Sequence, residues 1–304
     1  LKNVKEGIMC HWCADHGDRD HKWYEKAENY LFEKVFPDEA KAEKVRNELG
    51  ATFAATEWRY SEPEFIRNKQ FLQERAGSGF ASQFATKEEC MTILKLADEA
   101  AKREDSLMVV GHCPCQLVYN GTREYHCIGF GMPVTMSMQV GYGRLPREGL
   151  TEYGGAEWRD LRRQLRKDVR VPLKLDEAKE LLEEWERKGL WHIVVSRGRL
   201  PLVEAICTCD RQYCTYLMNR ERMGVIEYAY KGHFVAVIDR EACTDCGTCY
   251  EYCQFGAVAF SKELETVSID PTKCMGCGLC HGNCPNDAVR LTPREEIPIA
   301  KNLW

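Results

Sequence analysis

Apolar positions along the 304-residue chain show two rhythms, mainly helical upstream and short and repetitive near the end. Trp23–Val35 carries Ala27, Tyr30, Leu31 and Val35 at helical intervals, which predicts a helix stopped by Pro37. Thr86 and Glu89 have the Ser/Thr-x-x-Glu form of a capping box and open a predicted helix to about Arg103. Two further stripes, Trp158, Leu161, Leu165, Val169 and Ala178, Leu181, Leu182, Trp185, predict helices over 156–169 and 176–188. Gly189 caps the second. Short apolar runs predict strands at Leu107–Val110, Trp191–Ser196 and Leu202–Ile206, the last two joined as a hairpin across Arg197-Gly198-Arg199. The expected fold class is α+β: a mostly helical N-terminal domain with short strands, followed by a pseudo-symmetric module. The expected units are 1–85, 86–232 and 233–304.

The final part repeats itself with an offset of 31 residues. Val237-Ile238-Asp239 aligns with Ser268-Ile269-Asp270, Gly247 with Gly278, and Ala257-Val258 with Ala288-Val289. Cys243, Cys246, Cys249 and Cys253 align with Cys274, Cys277, Cys280 and Cys284. Each copy reads as a strand, a tight loop, one or two helical turns and a second strand. One copy cannot close a core alone, so two packed pseudo-symmetrically are expected.

Composition narrows the function. The net charge of −5 is too mild to argue for nucleic acid or an anionic membrane surface, and no apolar run approaches the length of a membrane span. The start is charged and lacks a signal-peptide core, so a cytoplasmic location is expected. It opens on Leu1 rather than methionine, which points to residues or a processing site upstream. Cysteine is the outlier: 17 residues, an odd number unevenly spaced, which argues for metal thiolates over a disulfide framework.

Eight of these cysteines form Cys243-x2-Cys246-x2-Cys249-x3-Cys253 and Cys274-x2-Cys277-x2-Cys280-x3-Cys284-Pro285. With this cadence residues 234 to about 293 resemble a two-cluster bacterial-type ferredoxin domain. The resemblance implies two [4Fe-4S] clusters, each loop sending its last cysteine across to the other. Cys243, Cys246, Cys249 and Cys284 would hold one, and Cys274, Cys277, Cys280 and Cys253 the other. Gly247, Gly276 and Gly278 would let backbone N–H groups approach the sulfides. The first loop departs from the pattern at Gln254, where proline is usual. Cys277-Gly-Leu-Cys280-His281 also satisfies the haem-attachment pattern, but its cysteines complete the ferredoxin motif. Tyr250, Tyr252 and Phe255 are expected to exclude water beside the first cluster.

The upstream cysteines are a second constellation. Cys113, Cys115, Cys127, Cys207, Cys209 and Cys214 are candidates for a third iron–sulfur centre or a zinc site, with buried free thiols as the alternative. The strands Leu107–Val110 and Leu202–Ile206 each release a Cys-x-Cys pair at the C-terminal end, and adjacent parallel pairing would join those ends. As a whole, residues 86–293 resemble anaerobic iron–sulfur proteins in which a cysteine-bearing domain precedes a two-cluster module. Cys10, Cys13, His16 and His21 are a candidate zinc set, with solvated loop residues as the alternative. Arg159, Arg162, Arg163, Arg166, Lys167 and Arg170 make a basic face, either solvated or docking an acidic partner.

A cubane bound by four cysteines exchanges one electron and has no open substrate position. The leading expectation is an electron-transfer protein, serving redox protein partners within a larger anaerobic oxidoreductase. The rivals are a redox enzyme whose upstream domain holds a third metal centre, and an iron–sulfur sensor or scaffold. The chain has no Gly-x-Gly-x-x-Gly or Gly-x4-Gly-Lys-Ser/Thr nucleotide loop and no His-Glu-x-x-His helix.

Overall fold

The computed structural model describes residues 11–18, 20–35, 37–38, 81–112, 124–131, 170–196 and 201–304. The upstream part is organised by a sheet, which corrects the expectation of a mostly helical domain. Six strands, β1 (Ala81–Ala85), β2 (Met108–His112), β3 (Tyr125–Phe130), β4 (Arg170–Pro172), β5 (Trp191–Ser196) and β6 (Val203–Cys209), lie in the order β1-β5-β6-β3-β2-β4. Every neighbouring pair is antiparallel. The central strands are covered on both faces, so their residues do not alternate between apolar and polar, and the period-two signal is lost. The Trp191–Ser196 and Val203–Cys209 hairpin forms as the sequence predicts.

One sheet face carries Ile128, Phe130, Val194 and Ile206 against two helices, Lys87–Glu104 and Leu175–Arg187. The first starts at the predicted capping box: Glu89 N–H donates to Thr86 Oγ1 at 3.2 Å, and Thr86 N–H to Glu89 Oε2 at 2.9 Å. Gly189 follows the second helix with φ +78°, a left-handed conformation that suits glycine. Trp23 and Tyr24 are fully buried in the same core. Their segment is not the continuous helix its apolar spacing suggests: it holds a 3-10 turn, Ala27–Tyr30, and a short helix, Phe32–Val35. The Asn29 amide donates to the Trp23 carbonyl and the Tyr30 hydroxyl to that of Tyr24, competing with helical bonds. The predicted helix over 156–169, with most of its basic face, lies outside the described residues.

The other face presents Phe84, Trp191, Ile193, Val195, Ala205 and Cys209, covered by a helix, Thr215–Met223, and by residues of the final part. That part begins at β7 (Phe234–Ile238) and contains β8 (Val258–Ser261), β9 (Thr266–Ile269) and β10 (Val289–Pro293). Among the described residues no helix is long and apolar enough to cross a membrane.

Candidate metal centre

The repeat becomes an exchange of strands. β7 of the first copy pairs with β10 of the second through Ile238 and Val289, and β8 pairs with β9 through Val258 and Ile269. The register obeys the offset of 31 at both pairs. Backbone bonds match it: Asp239 N–H donates to the Ala288 carbonyl and Asp270 N–H to that of Ala257, each at 2.7 Å. Cys243 N–H and Cys274 N–H fold back on Asp239 and Asp270 at 3.0 and 3.2 Å. Gly247 and Gly278, with φ of +80° and +81°, start the short helices Thr248–Tyr252 and Leu279–Gly282. A left-handed residue at these points turns each cysteine loop into its helix.

This exchange carries the last cysteine of each loop across the molecule. A cavity beside the second loop is lined by Cys274, Cys277 and Cys280, together with Cys253 from the first loop. Burial pushes the Cys277 and Cys280 thiols well up, and the charges of Cys274 and Cys253 push in the same direction. Burial likewise pushes Cys249 up to about 11, reinforced by Cys284 and then by Cys243 and Cys246. Thiolates gathered in this way repel one another unless a cationic core lies between them. Cys246 is exposed, and hydrogen bonds with Thr248 lower its pKa. The donor set, all sulfur and arranged around a cavity, suits an iron–sulfur core.

Residues 236–291 match the family model of a 4Fe-4S dicluster domain. The C-terminal part is therefore a ferredoxin-like iron–sulfur domain of the electron-transfer type. A search of curated proteins returned no match to the chain.

The 4Fe-4S domain docks through residues that the sequence marked for other reasons. Phe255 packs against Trp191 in a tilted arrangement with ring centroids 4.7 Å apart and meets Phe84 edge-on at 5.4 Å. Tyr252 and Phe255 line the cavity of the second loop, and Tyr250 is 53% exposed. Gln254, the departure from proline, donates through Nε2 to the Gly189 carbonyl at 2.7 Å and accepts from Arg211 N–H at 2.9 Å. A proline there could make neither bond.

The upstream cysteines divide. Cys113 and Cys115 lie outside the described residues. β2 and β6 are not adjacent: β3 runs between them and is antiparallel to both, so they are parallel to each other one strand apart. Gly111, Cys127 and Cys207 consequently stand at one level across three strands, with the Cys127 and Cys207 sulfurs 3.9 Å apart. Cys209 and Cys214 belong to the same face. Cys214 caps the helix Thr215–Met223, its sulfur accepting from Leu217 N–H at 3.4 Å.

Cys10 also lies outside the described residues, and the other members of the candidate zinc set each have a partner outside it. Cys13 is buried with its sulfur 3.2 Å from His233 Nε2. His16 packs edge-on against Trp12, and His21 pairs with Asp18 at 3.0 Å. Among the described residues, no three His, Cys, Asp or Glu side chains close on a single-ion position. Arg294 and Lys231, buried beside the second loop, carried no motif in the sequence; only the fold brings them there.

Proposed function

We propose that the chain relays single electrons through two [4Fe-4S] centres, one on Cys243, Cys246, Cys249 and Cys284 and one on Cys274, Cys277, Cys280 and Cys253. It serves a redox protein partner as a subunit of, or dedicated partner to, an anaerobic cytoplasmic oxidoreductase. The observation that carries this reading is the cavity that gathers three cysteines of the second loop with Cys253 of the first. When bound, each cluster supplies one-electron exchange. The protein's residues do the rest. The buried Cys249, Cys274 and Cys280 hold the cores away from water, and the exposed Cys246 marks the edge nearest a partner. Potentiometric titration of the anaerobically reconstituted chain, followed by paramagnetic resonance, tests the relay. Two interacting one-electron centres are expected, and a chain that binds no [4Fe-4S] cluster overturns it.

A second reading, a third metal centre in the upstream domain, is favoured by the Cys127–Cys207 contact at the cysteine-bearing end of the sheet. Such a centre would lie on the face that also carries Phe255 and Cys277, which makes it a candidate extension of the relay.

A further inference from the structure

The charges around the two ferredoxin loops differ in kind. Beside the first they come in neutral pairs: Arg240 reaches Asp245 at 3.1 Å, and Arg290 pairs with Asp239. Asp245 stands where the repeat places Gly276 in the second loop, and its carboxylate lies 3.7 Å from the Cys243 sulfur. Beside the second loop Lys273 pairs with Asp270 at 3.7 Å, and two further cations are buried without an ion pair. Arg294 is fully buried; its Nε donates to the Gly232 carbonyl at 2.8 Å, and its Nη2 to those of Phe234 and Cys274 at 3.1 and 3.0 Å. Its Nη1 is buried without a hydrogen-bond partner. Lys231 is buried too and donates to the Thr272 carbonyl, two residues before Cys274. Neither cation forms an ion pair among the described residues.

A buried cation without an ion-pair partner calls for another anion. The thiolate-bound core that Cys274 helps to hold is that anion.

Resting on the relay reading, we infer that Arg294 and Lys231 raise the reduction potential of the centre held by Cys274, Cys277, Cys280 and Cys253 above that of its twin. Reduction adds one negative charge, and an unpaired cation in a low-dielectric surrounding favours that charge more than a neutral ion pair does. An electron delivered by a one-electron donor protein therefore settles at the second centre. The first is reoxidised as the second is reduced, and no bond is made or broken. The electron comes to rest on the side of the domain that faces the six-stranded sheet.

The test is a dithionite titration of the full reconstituted chain, read by paramagnetic resonance, in wild type and in Arg294→Met, Arg294→Lys and Lys231→Met. Two separate midpoints are expected in wild type, with Cys253→Ser perturbing the upper one. Arg294→Met should lower the upper midpoint and leave the lower in place, Arg294→Lys should restore it, and Lys231→Met should lower it in the same sense. If Arg294→Met does not fold, Lys231→Met alone decides. Coincident wild-type midpoints, or an upper midpoint unmoved by the charge-removing variants that fold, overturn the inference while leaving the relay intact. Absence of paired [4Fe-4S] signals overturns both.

Discussion

Gly232 and Gly276 meet backbone to backbone where the upstream domain joins the loop of the second centre. A Cβ on Gly232 would stand 2.7 Å from the Gly276 carbonyl oxygen and 2.9 Å from that of Phe84; one on Gly276 would stand 2.5 Å from the Phe234 oxygen. Gly232 N–H donates to the neighbouring Met275 carbonyl at 2.8 Å. These are main-chain atoms, which cannot swing aside as the end of a long side chain can. Gly232→Ala should therefore displace the loop bearing Cys274 and Cys277, at a cost of about 1–3 kcal/mol. The expected outcome is a lower Tm with loss of one resonance signal and retention of the other. A variant with both signals and an unchanged Tm would show that the loop can yield.

Cys253 belongs by sequence to the first loop and by position to the second cavity. Cys253→Ser should accordingly damage the centre of Cys274, Cys277 and Cys280 and spare that of Cys243, Cys246 and Cys249. Paramagnetic resonance of the reduced variant checks this, with site-selective labelling to tell the centres apart. Damage confined to the first centre would contradict the crossed arrangement.

How far the sequence reveals this depends on whether a signal is local. The repeat is local and redundant, so its pseudo-symmetry could be read directly, while the crossing of Cys253 and Cys284 came only from the ferredoxin resemblance. The Thr86–Glu89 capping box spans one turn and was equally legible. β1 was not: Ser82 and Gln83 look like loop residues, yet Ser82 Oγ donates to the Tyr228 carbonyl and Gln83 Nε2 to that of Lys231. Those partners lie some 150 residues downstream, beyond any pattern window. The Cys127–Cys207 contact was hidden for a related reason. Sequence placed cysteines at two strand ends, but only the interposed β3 decides which of them meet.

If the cysteine-bearing end of the sheet holds a third cubane, full reconstitution should give about twelve irons per chain, and about eight if it does not. Replacing Cys127, Cys207 and Cys209 together with alanine should then remove about four irons and leave both ferredoxin signals. Iron and sulfide content unchanged by the triple replacement would exclude these cysteines as ligands.

Iron should also be part of the folding energy of residues 233–304. Their regular structure consists of two-stranded sheets, helices of five and four residues and a 3-10 turn at Arg294–Glu296, too little to bury a self-sufficient core. Anaerobic chelation of the full chain should strip amide protection from 234–293 while β5 and β6 retain theirs, as read by hydrogen exchange. Undiminished protection in the iron-free domain would contradict this.

His192 gives the upstream domain a defined sensitivity to acid. It is buried on β5 with Nδ1 2.9 Å from Thr208 Oγ1 and Nε2 without a hydrogen-bond partner. Burial, with the nearby Lys87 charge, lowers its pKa from 6.5 to about 3. The imidazole therefore stays neutral in the folded chain, whereas the unfolded chain takes up a proton near pH ~6.5. Below that pH the unfolded state binds more protons, so stability falls as pH falls, by up to about 1.4 kcal/mol per pH unit, until the folded pKa is reached. Above pH ~6.5 the contribution is constant. His192→Asn, with no ionisable group, should lose this slope. Urea unfolding of both chains between pH ~7.5 and ~5 isolates it, because cluster loss in acid is common to the two and cancels in their difference. The wild-type chain should lose stability relative to the variant below pH ~6.5, and parallel stability curves across that window would show that His192 titrates normally in the fold.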